Sequence, residues 1–179
     1  MFDLEETALK GCYLVHPFSS YDERGLFIKI FQSEAFEDKG LCSCFKEQYY
    51  SISKKDVIRG MHFQLPPNDH CKLVYCLNGS AVDALLDLRK QSKSYKHYIS
   101  FELSSDNPIL VYIPRGIAHG FLSKSNNTVM IYNVETSYDR KTDAGILWNS
   151  FDFNWPCTNP IISERDMNHI ALSSFDSPF

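Results

Sequence analysis

Asn78-Gly79 joins two apolar runs, Lys72 to Leu77 and Ser80 to Leu88. That dipeptide is the strongest short-range signal for a two-residue β-hairpin turn. The same punctuation recurs along the chain. Asp106-Asn107-Pro108 and Ser125-Asn126-Asn127 read as further turns. Between the turns the sequence predicts strands over Leu26 to Phe31, Phe45 to Ile52, Val57 to Gln64, Tyr95 to Leu103, Pro108 to Ile113, Ala118 to Lys124 and Thr128 to Glu135. Helix signals are scarce. Ser33 to Lys39 reads as one short helix with Ser33 as N-cap and Gly40 just past its end, and the tail after Ser163-Glu164-Arg165-Asp166 suggests another. A chain of about ten short, evenly spaced strands folds as an all-β sandwich or jelly-roll barrel, a form that often holds a ligand inside.

The 179 residues suffice for one domain with a full core, and no linker, repeat or low-complexity segment divides residues 1–179. Apolar residues make up 44% and aromatics 14%, which excludes disorder. A net charge of −4 gives no general attraction for nucleic acid. No apolar run approaches a membrane span. The start, Met1-Phe2-Asp3-Leu4-Glu5-Glu6, lacks the basic-then-apolar pattern of a secretory leader, so a cytoplasmic location is expected. Cys12, Cys42, Cys44, Cys71, Cys76 and Cys157 show no CxxC spacing and read as buried or half-buried free thiols.

Arg59-Gly60-Met61-His62-Phe63-Gln64 and Lys72-Leu73-Val74 place polar groups on apolar runs. If the two runs are neighbouring strands, Arg59, His62 and Lys72 point into one cavity. A histidine held between two cations is depressed in pKa and neutral near pH 7, as a general base requires. Gln64, two residues on, shares the His62 face. A core rarely tolerates Arg, His, Gln and Lys together without a ligand to occupy them. Asp83 and Asp87, four apart, share one strand face; pairing with Arg89 is the plain reading of Asp87. His119, between Gly116 and Gly120, suits a supporting dyad with Asp83, or else a turn. Tyr132 lies mid-strand, where its phenol either exchanges a proton or merely fills the barrel. Barrels of this kind often hold iron or manganese through three histidines and a glutamate. His62, His70 and His119 are present, but the tight His-x-His pair and the glutamate are missing, so no metal is expected.

These segments, from about Asp22 to Asp166, resemble the dTDP-4-dehydrorhamnose 3,5-epimerase family. The matching pieces include Asp22-Glu23-Arg24-Gly25, the Arg59 to Gln64 run, Lys72-Leu73-Val74, Asp83 to Arg89, Ile113 to Phe121, Tyr132, Ile146-Leu147-Trp148-Asn149, Trp155-Pro156 and Ser163-Glu164-Arg165-Asp166. The resemblance implies a metal-free and cofactor-free cupin barrel that forms a homodimer by strand exchange. Its substrate would be a nucleotide-diphosphate 4-keto-6-deoxy sugar used in bacterial surface polysaccharides. His62 would be the base, Asp166 the carboxylate that orients it, Tyr132 the acid on the opposite face, and Lys72 the cation for the enolate. Asp83 and His119 would support them, and Arg24 and Arg59 would meet the diphosphate.

The sequence departs from the family at two places. After Arg24-Gly25-Leu26-Phe27-Ile28, Lys29 stands where a glutamate usually accepts the thymine N–H, and a lysine can only donate. Glu47 and Tyr49 stand where a glutamine and an asparagine line the pocket. Both changes, with Phe27 and Gln64 as neighbouring substrate contacts, favour a GDP-linked 4-keto heptose over dTDP-4-keto-6-deoxyglucose. A sugar 3,4-ketoisomerase would have a second histidine at position 64. A non-catalytic nucleotide-sugar-binding cupin would not need His62, Tyr132 and Asp166 together.

Overall fold

The computed structural model describes residues 2–179 and contains thirteen strands and two short helices. In chain order they are β1 (Asp3–Glu6), β2 (Tyr13–His16), β3 (Phe18–Asp22), β4 (Gly25–Lys29), α1 (Ser33–Glu37), β5 (Glu47–Ser53), β6 (Ile58–Gln64), β7 (Lys72–Asn78), β8 (Ser80–Asp87), β9 (Tyr98–Ser104), β10 (Leu110–Ile113), β11 (Ile117–Ser123), β12 (Thr128–Val134), β13 (Asp143–Gly145) and α2 (Glu164–Met167). Two antiparallel sheets face each other. One has the order β1-β2-β10-β7-β12-β5 and the other β13-β6-β11-β8-β9; β3 and β4 pair only with each other. This is the jelly-roll barrel expected from the turn spacing.

β8 and β11 are covered on both faces, which explains why they read as unbroken apolar runs, whereas β12 alternates and β5 is largely exposed. In β8, Ala81 and Leu85 face the space between the sheets and pack with Leu103, Val111, Phe121 and Met130. The alternate residues Val82, Ala84 and Leu86 face outward and are covered by Phe151, Trp155 and Leu172 of the C-terminal segment. Beneath α1, Phe36 packs on Leu73, Leu110 and Tyr112. Asn78-Gly79 makes the turn between β7 and β8, with Gly79 at φ +78.

Several details differ from the sequence reading. β6 and β7 are not neighbours: they lie in opposite sheets, because the loop between them crosses the barrel. Ser33 is the first helical residue and Gln32 the N-cap, which makes no side-chain capping bond; the Ser33 hydroxyl turns to Glu34 instead. Gly40 does end that segment, at φ +70. Tyr95 to His97 form a turn, with Lys96 at φ +64, so β9 begins at Tyr98. The second helix contains Glu164 to Asp166 rather than following them. Cys44 is exposed.

β6 carries an extra residue relative to β11. His119 pairs with His62, but Phe121 pairs with Arg59, so two residues of β6, Gly60 and Met61, oppose Gly120 alone on β11. This bulge shifts the side-chain alternation, and Arg59 and His62, three apart, come to line the same cavity. Gly60 makes the close contact possible. It sits at φ +145, and a Cβ there would lie 2.5 Å from the Gly120 Cα. Gly60→Ala is therefore expected to lower stability by at least about 2 kcal/mol, read as a fall in the urea midpoint.

Candidate active site

A cavity of about 400 Å³ opens between the sheets, lined by residues that include Arg59, His62, Lys72, His119, Tyr132 and Arg165. That volume suits a sugar-sized ligand. The five-stranded sheet brings His62 on β6 and His119 on the neighbouring β11, directly opposite each other. The six-stranded sheet brings Lys72 on β7 and Tyr132 on β12. His62 and Tyr132 thus stand on opposite walls.

His62 Nε2 lies 2.8 Å from Asp166 Oδ1. The carboxylate is fixed by α2, whose first turn is capped when the Asp166 N–H donates to Ser163 Oγ at 3.1 Å. It is also held from below, where the Gly60 N–H donates to Oδ2 at 3.2 Å. Burial opposes the Asp166 charge, but the imidazoles of His169 and His62 and the Gly60 N–H outweigh it, holding the carboxyl well below its usual range. His62 is shifted down: burial is the main cause, Asp166 opposes it, and the charges of Arg165 and Lys72 reinforce it. From sequence, Arg59 is the expected second cation near His62. The structure gives that position to Arg165, while Arg59 donates from Nε to Ser53 Oγ at 3.1 Å.

Arg165 reaches across the cavity mouth. Its Nη1 donates to Asp143 Oδ2 at 2.7 Å and its Nη2 stands 2.7 Å from His62 Nε2. A ring nitrogen has one in-plane site, so Nε2 either donates to Asp166 or accepts from Arg165. Only the first leaves Nδ1 as a free base, and Nδ1 has no hydrogen-bond partner among the described residues.

Lys72 is buried, and its Nζ donates to the His62 carbonyl oxygen at 3.2 Å. Burial pulls its pKa down to about 8, with Asp143 and Asp83 pulling the other way. Asp83 and His119 are both buried and meet at 2.7 Å; His119 sits mid-strand, not in a turn. The His119 ring lies edge-on to Tyr132, with centroids 6.0 Å apart. Burial pushes the Tyr132 phenol far up, so it stays protonated. Tyr49 stacks on Tyr132 at 4.9 Å, and burial together with Glu47 moves its own pKa up to about 12. Asp87 pairs with Arg89 at 2.8 Å, its structural role.

Of the other expected contacts, Glu47 and Gln64 line the cavity. Glu47 Oε2 accepts the Tyr138 N–H at 2.8 Å, and Gln64 Oε1 accepts from Thr142 at 2.5 Å. Arg24, Phe27 and Lys29 do not reach the cavity. They lie on the exposed β3–β4 hairpin, where Arg24 pairs with Asp22. Arg165, Asp143 and His169 were not singled out from sequence; an arginine beside a candidate carboxylate was the available signal for the first. Two groups have metal-like donor spacing, His62–Asp166–His169 and Cys42–Cys71–Glu135. Each already holds a guanidinium, Arg165 on His62 and Arg115 on Glu135, and that charge opposes a cation.

The profile of the dTDP-4-dehydrorhamnose 3,5-epimerase family matches residues 6–174. The Shigella flexneri dTDP-4-dehydrorhamnose 3,5-epimerase is 34% identical over 166 residues, covering 91% of this chain and 92% of the relative. The Methanothermobacter thermautotrophicus enzyme of the same name is 36% identical over 172 residues, covering 93% and 92%. A crystal structure of the Bacillus anthracis enzyme, with TDP and pyrophosphate bound, superposes with a TM-score of 0.93 at 32% identity, covering 96% of this chain and all of that one. The family profile, the curated relatives and the solved structure agree: the chain belongs to the dTDP-4-dehydrorhamnose 3,5-epimerase family of cupin-fold nucleotide-sugar isomerases.

Proposed function

We propose that this enzyme inverts C3, C5 or both in a nucleotide-diphosphate 4-keto-6-deoxy sugar, supplying deoxysugars for bacterial surface polysaccharides such as capsule or O-antigen. The observation that carries the reading is the placement of His62 and Tyr132 on opposite walls with Lys72 beside them. A ketone at C4 acidifies the hydrogens at C3 and C5. His62 Nδ1 takes one of them, and the C–H electron pair moves into a C3–C4 or C4–C5 double bond as the ketone oxygen becomes an enolate. Lys72 stabilises that oxygen. Tyr132 then gives its O–H proton to the same carbon from the other face, and configuration inverts. Solvent restores the proton to Tyr132 and removes the one on His62. Asp83 and His119 hold the Tyr132 wall in place.

The finer reading is a GDP-linked 4-keto heptose. Lys29 supports it, because an ammonium donates to the acceptor edge of guanine, where a glutamate would take the thymine N–H. Glu47 and Tyr49 support a sugar other than 4-keto-6-deoxyglucose, since they bring a carboxylate and a second ring into the pocket. The named relatives are dTDP-4-dehydrorhamnose 3,5-epimerases, so calorimetry with GDP and dTDP decides. Tighter GDP is the expected result; clearly tighter dTDP overturns the nucleotide assignment and leaves the epimerase reading intact.

For Lys29, Phe27 and Arg24 to meet substrate, the β3–β4 hairpin must enter the cavity of a second copy, and we read the enzyme as a strand-exchanged homodimer. The hairpin pairs only with itself and exposes Phe18, Tyr21, Leu26 and Phe27, while the edge strand β5 exposes Tyr50 and Ile52. Light scattering is expected to give twice the chain mass, and Phe27→Asp to shift it toward monomer with loss of nucleotide binding. A wild-type monomer that binds nucleotide normally would contradict this.

A further inference from the structure

His169 lies just beyond α2, three residues after Asp166. The Leu147 N–H donates to the Ile170 carbonyl at 2.8 Å, and this tie lays the segment along the end of β13. The ring fills the space left by Gly145, where a Cβ would come within 2.5 Å of His169 Nε2. It is also edge-on to His62, with centroids 5.6 Å apart. Its Nε2 is buried and without a hydrogen-bond partner among the described residues, and Asp166 Oδ1 stands 3.5 Å away. Nothing in the proton transfers described above uses this imidazole.

We propose that His169 is a positioning residue: its Nε2–H donates to the oxygen of Asp166 that serves His62, so two imidazoles share one carboxylate. The physical effect is on the base. A carboxylate that accepts a second donor binds its first donor less strongly, and so stabilises the imidazolium of His62 less. The base therefore releases its proton more readily between turnovers. The other groups around this carboxylate are the Gly60 N–H from β6 and Arg165 from α2. Lys72 on β7 acts on His62, and Asp143 on β13 holds the far end of Arg165. Of these, the three-residue spacing from Asp166 and the missing side chain at Gly145 set His169 apart as a part built for the carboxylate.

The test is an NMR titration of the His62 ring in the free protein, assigned by its loss in His62→Gln. His169→Phe keeps a flat ring but removes the donor, and is expected to raise the His62 midpoint by about half to one pH unit. His169→Gln keeps an N–H donor and is expected to stay within about 0.3 units of wild type. An unmoved midpoint in His169→Phe overturns the proposal. Equal shifts in both variants also overturn it, because packing alone would then explain them. Should the Phe variant not fold, His169→Met carries the same expectation. The inference rests on reading His62 as the base, but the titration needs no substrate and can fail while that reading stands. If both hold, the acid limb of the turnover profile moves with the midpoint.

Discussion

His62→Asn is expected to slow exchange of the sugar C3 or C5 hydrogens with solvent by about 1,000-fold, with little change in nucleotide affinity. The size follows from the role. A positioned general base contributes roughly 100- to 10,000-fold, and no second imidazole in the cavity is free to replace it. His119 is committed to Asp83 at 2.7 Å and His70 to Thr136 at 2.6 Å. Affinity is expected to hold because the proposed role of His62 is at the reacting carbon and not at the nucleotide. The measurement is the NMR exchange rate in D₂O at saturating substrate, beside a calorimetric titration with nucleotide. A loss below about tenfold would move the base elsewhere.

Lys72→Met is expected to reduce the same rate by about 100- to 1,000-fold, the loss typical of removing one stabiliser of a developing oxyanion. Its effect on stability has the opposite sign. Lys72 has a pKa of about 8 in the folded protein against 10.5 for an ordinary lysine. Between those values the unfolded chain binds more protons, so stability rises with pH across that window. Below about pH 8 the buried charge costs stability in full. Lys72→Met removes that cost, so the variant melts higher than wild type at pH 7, and the difference closes as the pH approaches 10.5. Thermal melts at pH 7 and pH 10 check it. A variant both slow and less stable at pH 7 would make Lys72 a structural residue.

Chemistry-bearing residues on apolar strands were legible because a buried charge needs a reason. Lys72 and Asp83 stood out that way, His119 by its flanking glycines and Tyr132 by its mid-strand place, and the Asp83–His119 pair formed as the sequence suggested. The Asn78-Gly79 turn was legible because it requires a particular backbone. Arg59, His62 and Lys72 share one cavity as expected, but the bulge in β6 that turns Arg59 to that side was not legible, since no local pattern announces a bulge. Nor was the pairing of strands: β6 and β7 adjoin in sequence but belong to opposite sheets. Arg165 and His169 escaped notice because the tail that carries them has neither strand nor helix periodicity and gains its meaning only by folding back on β6 and β13. β3 was missed for a simpler reason: all five of its residues are exposed, leaving no apolar alternation to read.

The measurement that tests the account most directly is deuterium wash-in by the wild-type enzyme, with GDP- and dTDP-linked 4-keto-6-deoxy sugars supplied in turn and followed by NMR. The account predicts enzyme-dependent loss of the C3–H signal, the C5–H signal or both with at least one of them. Binding of these sugars without exchange at either carbon would contradict it.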